Sequence, residues 1–144
     1  MYGIFLDLET SGLDPSKHHI LEAAFRILNL DSREEVRSYQ SIVYQSPKIW
    51  SESDPESLEV NGFTWEKMES GSPPDEVAQR IVAFLKEVGV EKLNATFWCQ
   101  NPSFDRRFFD TLLTIEQQES MPYLWMDLAS TYHVRRMDDI LSSE

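Results

Sequence analysis

The segment "YGIFLDLETSGLDP", residues 2–15, constrains the chain more than any other, because it sets two acids, Asp7 and Glu9, at alternate positions of an apolar strand that stops at Gly12 and Pro15. Side chains at i and i+2 of a strand face the same side, roughly 7 Å apart. The two carboxylates therefore project together at the strand's end. Like charges this close repel unless water or a cation separates them. Either the pair sits on a solvated face, or it holds a hard cation such as Mg²⁺ or Mn²⁺, for which oxygen ligands are suited.

The following segments predict the rest of the sheet. "ILEAAFRILNL" from Ile20 and "EVRSYQSIVY" from Glu35 read as two further strands, joined by a turn at Asp31 and Ser32. The pattern then becomes helical. Ser53 or Asp54 caps a helix with Pro55 in its first position, Asn61 and Gly62 stop it, and Thr64 caps the next. In "SPPDEVAQRIVAFLKEVG", Val77, Ile81, Phe84, Leu85 and Val88 share one face and Gly89 closes the helix. "NATFWCQ" reads as a short buried strand, and "PSFDRRFFDTLLTI" as a helix with Pro102 in its first turn. The order βββαβα predicts an α/β fold: an antiparallel meander, a later parallel strand in the same mixed sheet, and flanking helices.

Length and charge narrow the function classes. A chain of 144 residues with 41% hydrophobic content suits one domain spanning residues 1–144. Its formal net charge of −12 argues against broad electrostatic capture of duplex nucleic acid, which relies on many lysines and arginines. A small nucleic-acid site is compatible with that charge where a bound cation supplies the positive field. No apolar run is long enough to span a bilayer and no basic-then-apolar leader opens the sequence, so the expectation is a cytoplasmic protein with no membrane partner. Cys99 is the one cysteine and lies in an apolar run, which predicts packing rather than reactivity.

A third carboxylate changes the weight of the first two. Asp105 stands in the opening turns of the helix that follows the buried strand, where functional groups gather at the end of a sheet. The helix macrodipole alone also favours an acid there. Phe104 and Phe108 flank it and would anchor the turn, aiming Asp105 rather than leaving it afloat.

These residues carry a family resemblance. "FLDLETSGLDP" resembles the first motif of the DEDD (DnaQ-like) superfamily of 3′ to 5′ exonucleases, of ribonuclease H-like fold, and "NPSFDRRFF" resembles the second. "ESLEVNGFTWEKMESGSPPDEVAQRIVAFLKE" is similar to the segment between them, so the resemblance covers roughly residues 2–131. It implies two metal ions, Mg²⁺ or Mn²⁺, about 4 Å apart, that bind the scissile phosphate, activate a water and stabilise the leaving 3′ oxygen. Asp7 would bridge the metals, Glu9 would hold the ion carrying the attacking water, and Asp105 would complete the site. By the same resemblance Thr10 and Gly12 contact the terminal nucleotide and Leu13 wedges against its base, although an apolar residue after glycine also reads as core. The scattered Trp50, Trp65, Trp98 and Trp125 read mainly as core, the alternative being that Phe63 or Trp65 borders the groove and stacks on a base.

The third motif of the family pairs a histidine with an aspartate five residues on, the DEDDh pattern, and "YHVRRMDDILSSE" offers His133 and Asp138 at that spacing. Its place in the chain departs from the family, in which some tens of residues precede it. Three readings stand: a compressed motif, a chain truncated after about residue 131, or a charged exposed tail with a coincidental spacing. On the first, His133 is the general base and Asp138 the last metal ligand. The resemblance thus implies release of mononucleotides from single-stranded DNA or RNA 3′ ends or short oligonucleotides. Exonucleases of this type are often homodimers. The alternatives are an inactive exonuclease-like module that binds nucleic acid or protein, and a ribonuclease H-like endonuclease.

Overall fold

The computed structural model describes residues 1–142. Its centre is a five-stranded mixed sheet in the order β3-β2-β1-β4-β5, with β1 at Tyr2–Thr10, β2 at Ile20–Asn29, β3 at Glu35–Ile42, β4 at Ala95–Cys99 and β5 at Trp125–Asp127. β1, β2 and β3 form the antiparallel meander, whereas β4 runs parallel to β1 and β5 parallel to β4. The expected meander plus later parallel strand is thus present, with β5 as an additional edge strand. β1 continues past Leu8 through Glu9 and Thr10, with an irregularity in its pairing to β2 at that point.

Alternation decides which face is covered. Ile4, Leu6 and Leu8 of β1 join Phe25 and Ile27 of β2 and Phe97 of β4 in the main core, each at most 7% exposed. Onto this face pack α4 (Pro74–Val88), through Val77, Ala78, Ile81 and Leu85, and α5 (Pro102–Leu112), through Phe108 and Phe109. Phe97 stacks on Trp125 with ring centroids 4.3 Å apart and meets Phe109 at 5.5 Å. α4 ends where Gly89 takes φ +97° and donates its N–H to the Leu85 and Lys86 carbonyls, a conformation that favours glycine. The opposite face presents Phe5, Asp7, Ala24 and Arg26 in register, with Phe5 stacked on Trp98 at 5.9 Å.

Between β3 and α4 lie three short helices, α1 (Pro47–Ser51), α2 (Pro55–Asn61) and α3 (Trp65–Glu69). Asp54 caps α2 by accepting from the Glu56 N–H, Pro55 takes the first position, and Gly62 ends it at φ +70°. Thr64 caps α3 through the Lys67 N–H. A second small core of Leu21, Phe63 and Met68 holds this region to β2. α6 (Ile115–Ser120) precedes β5, and α7 (Leu128–Ser142) follows it. Among the described residues no helix is long and apolar enough to cross a membrane.

Candidate active site

The end of β1 is held by bonds from three directions. The Ser11 N–H donates to the His19 carbonyl, and the Ser11 hydroxyl accepts from the His19 N–H. The Thr10 hydroxyl donates to the Gly12 carbonyl at 2.7 Å. α2 is bonded to the same turn at both of its ends: the Asp54 N–H donates to the Ser11 carbonyl at 2.7 Å, and the Asn61 side-chain amide donates to the Thr10 carbonyl at 2.9 Å. Asn61 Oδ1 meanwhile accepts from the Phe63 N–H. On the far side the His18 ring lies against Gly12, and His18 Nδ1 accepts from the Asp14 N–H.

A side chain at position 12 would collide with that imidazole. Gly12→Ala is therefore expected to cost about 1–3 kcal/mol in thermal unfolding. It should displace Leu13 as well, and a raised KM for any nucleotide held there is the functional readout.

The acidic residues converge on Asp7. Asp7 is exposed on the open face opposite Ala24, and Glu9 is half-buried two residues on, opposite Glu22. Burial raises the Glu9 carboxyl above its ordinary value, and the charges of Asp7 and Glu22 add to that, against a downward pull from Lys67. Asp105 is only 7% exposed, in the first turn of α5, where its N–H donates to the Asn101 carbonyl. Burial again raises its carboxyl, with Asp7 adding to the effect and hydrogen bonds from the Asn101 backbone and the Cys99 thiol opposing it. Cys99 lies buried at the end of β4, and burial beside Asp105 pushes its thiol up to about 12, so it is a packed donor and not a nucleophile.

Beside Glu9 opens a cavity of 350 Å³, the size of a small-molecule pocket. Leu8, Leu13, Val60 and Phe104 give it apolar walls, and Glu9, Thr10 and Asn61 its polar ones. Leu13 is 72% exposed and lines the cavity, so the turn does not bury it in the core. Phe104 is half-buried and lines the cavity, whereas Phe108 is fully buried and anchors the helix. Sequence reasoning gave both phenylalanines one anchoring role. It read Asn61 only as a helix stop, although asparagine directly before a helix-ending glycine is also a residue able to bond across a turn.

Two expectations need correction. Phe63 does not border the groove: it is 5% exposed and packed with Leu21 and Met68, because α3 folds back onto β2. Asp138 is exposed on α7, where it lines a cavity with Ser130, Thr131 and Arg135 that includes none of Asp7, Glu9 or Asp105. The His133 side chain lies outside the described residues. Among the described residues no three His, Cys, Asp or Glu side chains are placed to hold a metal ion together. The donors around Asp7 are nevertheless all carboxylate oxygens, and no salt bridge pairs Asp105 with a basic side chain among the described residues. In chemistry Asp7, Glu9 and Asp105 fit a hard divalent cation.

Comparison with known proteins places this geometry. Residues 4–141 match the family described as RNase_T, exonuclease. DNA polymerase III of the PolC type from Thermotoga petrophila is 29% identical over 105 residues, and that from Thermotoga maritima 27% over 119. These alignments cover 73% and 76% of this chain, which spans only 7% and 8% of the polymerases. Among solved structures, product-bound exonuclease I superposes with a TM-score of 0.71 at 15% identity, covering 91% of this chain and 30% of that one. Escherichia coli exonuclease I in complex with a dT13 oligonucleotide gives 0.68 at 16%, covering 88% and 28%. The chain belongs to the RNase T-type exonuclease family, within the DEDD superfamily of DnaQ-like nucleases with a ribonuclease H-like fold.

Proposed function

We propose that the chain is a 3′ to 5′ exonuclease domain that removes mononucleotides from single-stranded DNA or RNA ends with Mg²⁺ or Mn²⁺. The observation that carries this reading is that the charge of Asp7 reaches both Glu9 and the buried Asp105, with Glu9 on the wall of a 350 Å³ cavity that Leu13 and Phe104 also line. The apolar walls suit a base. Thr10, on the cavity wall, and Gly12, in the buried turn behind it, would meet its sugar and phosphate through their backbone. Support for a single-stranded substrate comes from the exonuclease I structures in complex with dT13 and dA16 oligonucleotides.

Asp7, Glu9 and Asp105 are the residues that would hold the divalent ions. When bound, such ions supply positive charge to the scissile phosphate and make an attacking water more acidic. The chain's own residues do the positioning: Leu13 and Phe104 clasp the terminal base, and Asn61 fixes the Thr10 backbone beside Glu9. That no three candidate ligands are grouped among the described residues also supports a second reading, a module that binds nucleic-acid ends without turnover.

The deciding experiment follows 3′-labelled single-stranded DNA and RNA oligomers of equal sequence with Mn²⁺, while a thermal shift reports metal binding. Mononucleotides as first products support the exonuclease. Internal fragments would replace it with an endonuclease, and a metal-dependent thermal shift with no product would establish the binding module.

A further inference from the structure

Among the described residues, the cation whose charge acts on Glu9 is Lys67, on α3. Its ammonium lies 4.3 Å from the centre of the ring of Phe63, a buried side chain. Phe63 is tied in turn to the site, since its N–H donates to Asn61, whose amide donates to Thr10. Lys67 itself is exposed, and it enters no salt bridge among the described residues. A flexible lysine is thus held on an aromatic face, close to the carboxylates yet not neutralised by one.

An acidic protein that binds a nucleic-acid strand needs fixed positive charge where the backbone passes. The cavity beside Glu9 accommodates one nucleotide, so the next phosphodiester must lie outside it. We infer that Lys67, oriented by Phe63, binds the backbone phosphate of the substrate strand adjacent to the terminal nucleotide. This rests on the reading of Asp7, Glu9 and Asp105 as a nuclease site. It gives Phe63 an indirect part in binding from within the core, through the cation it carries and not by stacking on a base. It also makes the preferred ligand a chain of at least two nucleotides, since a mononucleotide has no phosphodiester to offer.

The test measures equilibrium binding of fluorescent dT4 and of dTMP, with Ca²⁺ in place of Mn²⁺, to the native chain, Lys67→Met, Lys67→Arg and Phe63→Leu across a salt series. Lys67→Met should weaken dT4 about tenfold while leaving dTMP unchanged. It should also flatten the dependence of log affinity on log salt by about 0.7, the contribution of one phosphate contact on a single strand. Lys67→Arg should restore both. Phe63→Leu should give an intermediate loss, and if that variant does not fold the lysine pair alone decides. Equal weakening of dT4 and dTMP, or an unchanged salt slope, would overturn the proposal and leave Lys67 as a neutraliser of Glu9. Hydrolysis is not the readout, so a native chain that binds dT4 without releasing nucleotides fails the exonuclease reading and still tests this one.

Discussion

Asp7→Asn is expected to reduce mononucleotide release by about 10³-fold, the loss that follows when several kcal/mol of stabilisation at the scissile phosphate are withdrawn. Asp7 is the carboxylate whose charge reaches both Glu9 and Asp105. The substitution keeps the side chain's shape and removes its charge. Because Asp7 is exposed, thermal stability should change by no more than ~0.5 kcal/mol. Single-turnover assays with 3′-labelled single strands, run beside thermal unfolding of the same preparation, separate the two effects. Full activity in a well-folded Asp7→Asn protein would remove the carboxylate set from the chemistry.

Asp105→Asn is expected to move activity and stability in opposite directions. Burial raises the Asp105 carboxyl, with Asp7 adding to it, so the folded state holds the proton more tightly than the unfolded chain does. The sign follows: without metal, folding is favoured by this group below its unfolded pKa, and that stability is lost as pH rises through the raised folded value. Wherever Asp105 is ionised, its charge is therefore a cost to the metal-free fold. Asparagine, neutral at every pH, should raise the metal-free melting temperature above that of the native chain wherever the native Asp105 is ionised. The same change should lower turnover by about 10²- to 10³-fold. Mn²⁺ should stabilise the native chain more than the variant, and that difference should shrink below the carboxylate range. A variant less stable than the native chain at pH 7 without metal would show that hydrogen bonds from Cys99 and Asn101 outweigh burial at this position.

The sheet and the carboxylates were legible because both obey short-range rules. Alternation in β1 told Asp7 from Leu6 and Leu8, and the caps Asp54 and Thr64 and the stops Gly62 and Gly89 stand where the sequence puts them. β5 and α1 were not legible, since three strand residues and five helical ones hold too little pattern to show a period. Phe63 was assigned to the groove because an aromatic residue reads alike in a core and at a binding surface; only the return of α3 onto β2 decides. Leu13 was ambiguous for the converse reason, and bonds from α2 and the loop at His18–His19 turn it outward. Asn61 reaches Thr10 across 51 residues, a contact that no local signal encodes. The spacing of His133 and Asp138 was visible, but spacing says nothing of where a helix lies in space.

The two attachments of α2 to the end of β1 have a mechanical meaning. A helix pinned at one end is a lid that swings; one pinned at Asp54 and again at Asn61 is a beam. Tilting it in either direction breaks a bond with the backbone beside Glu9, so the width of the cavity between α2 and the end of β1 is tied to those two bonds. On the exonuclease reading, a gap held in this way would act as a gauge does, sorting strand ends by what fits a preset width.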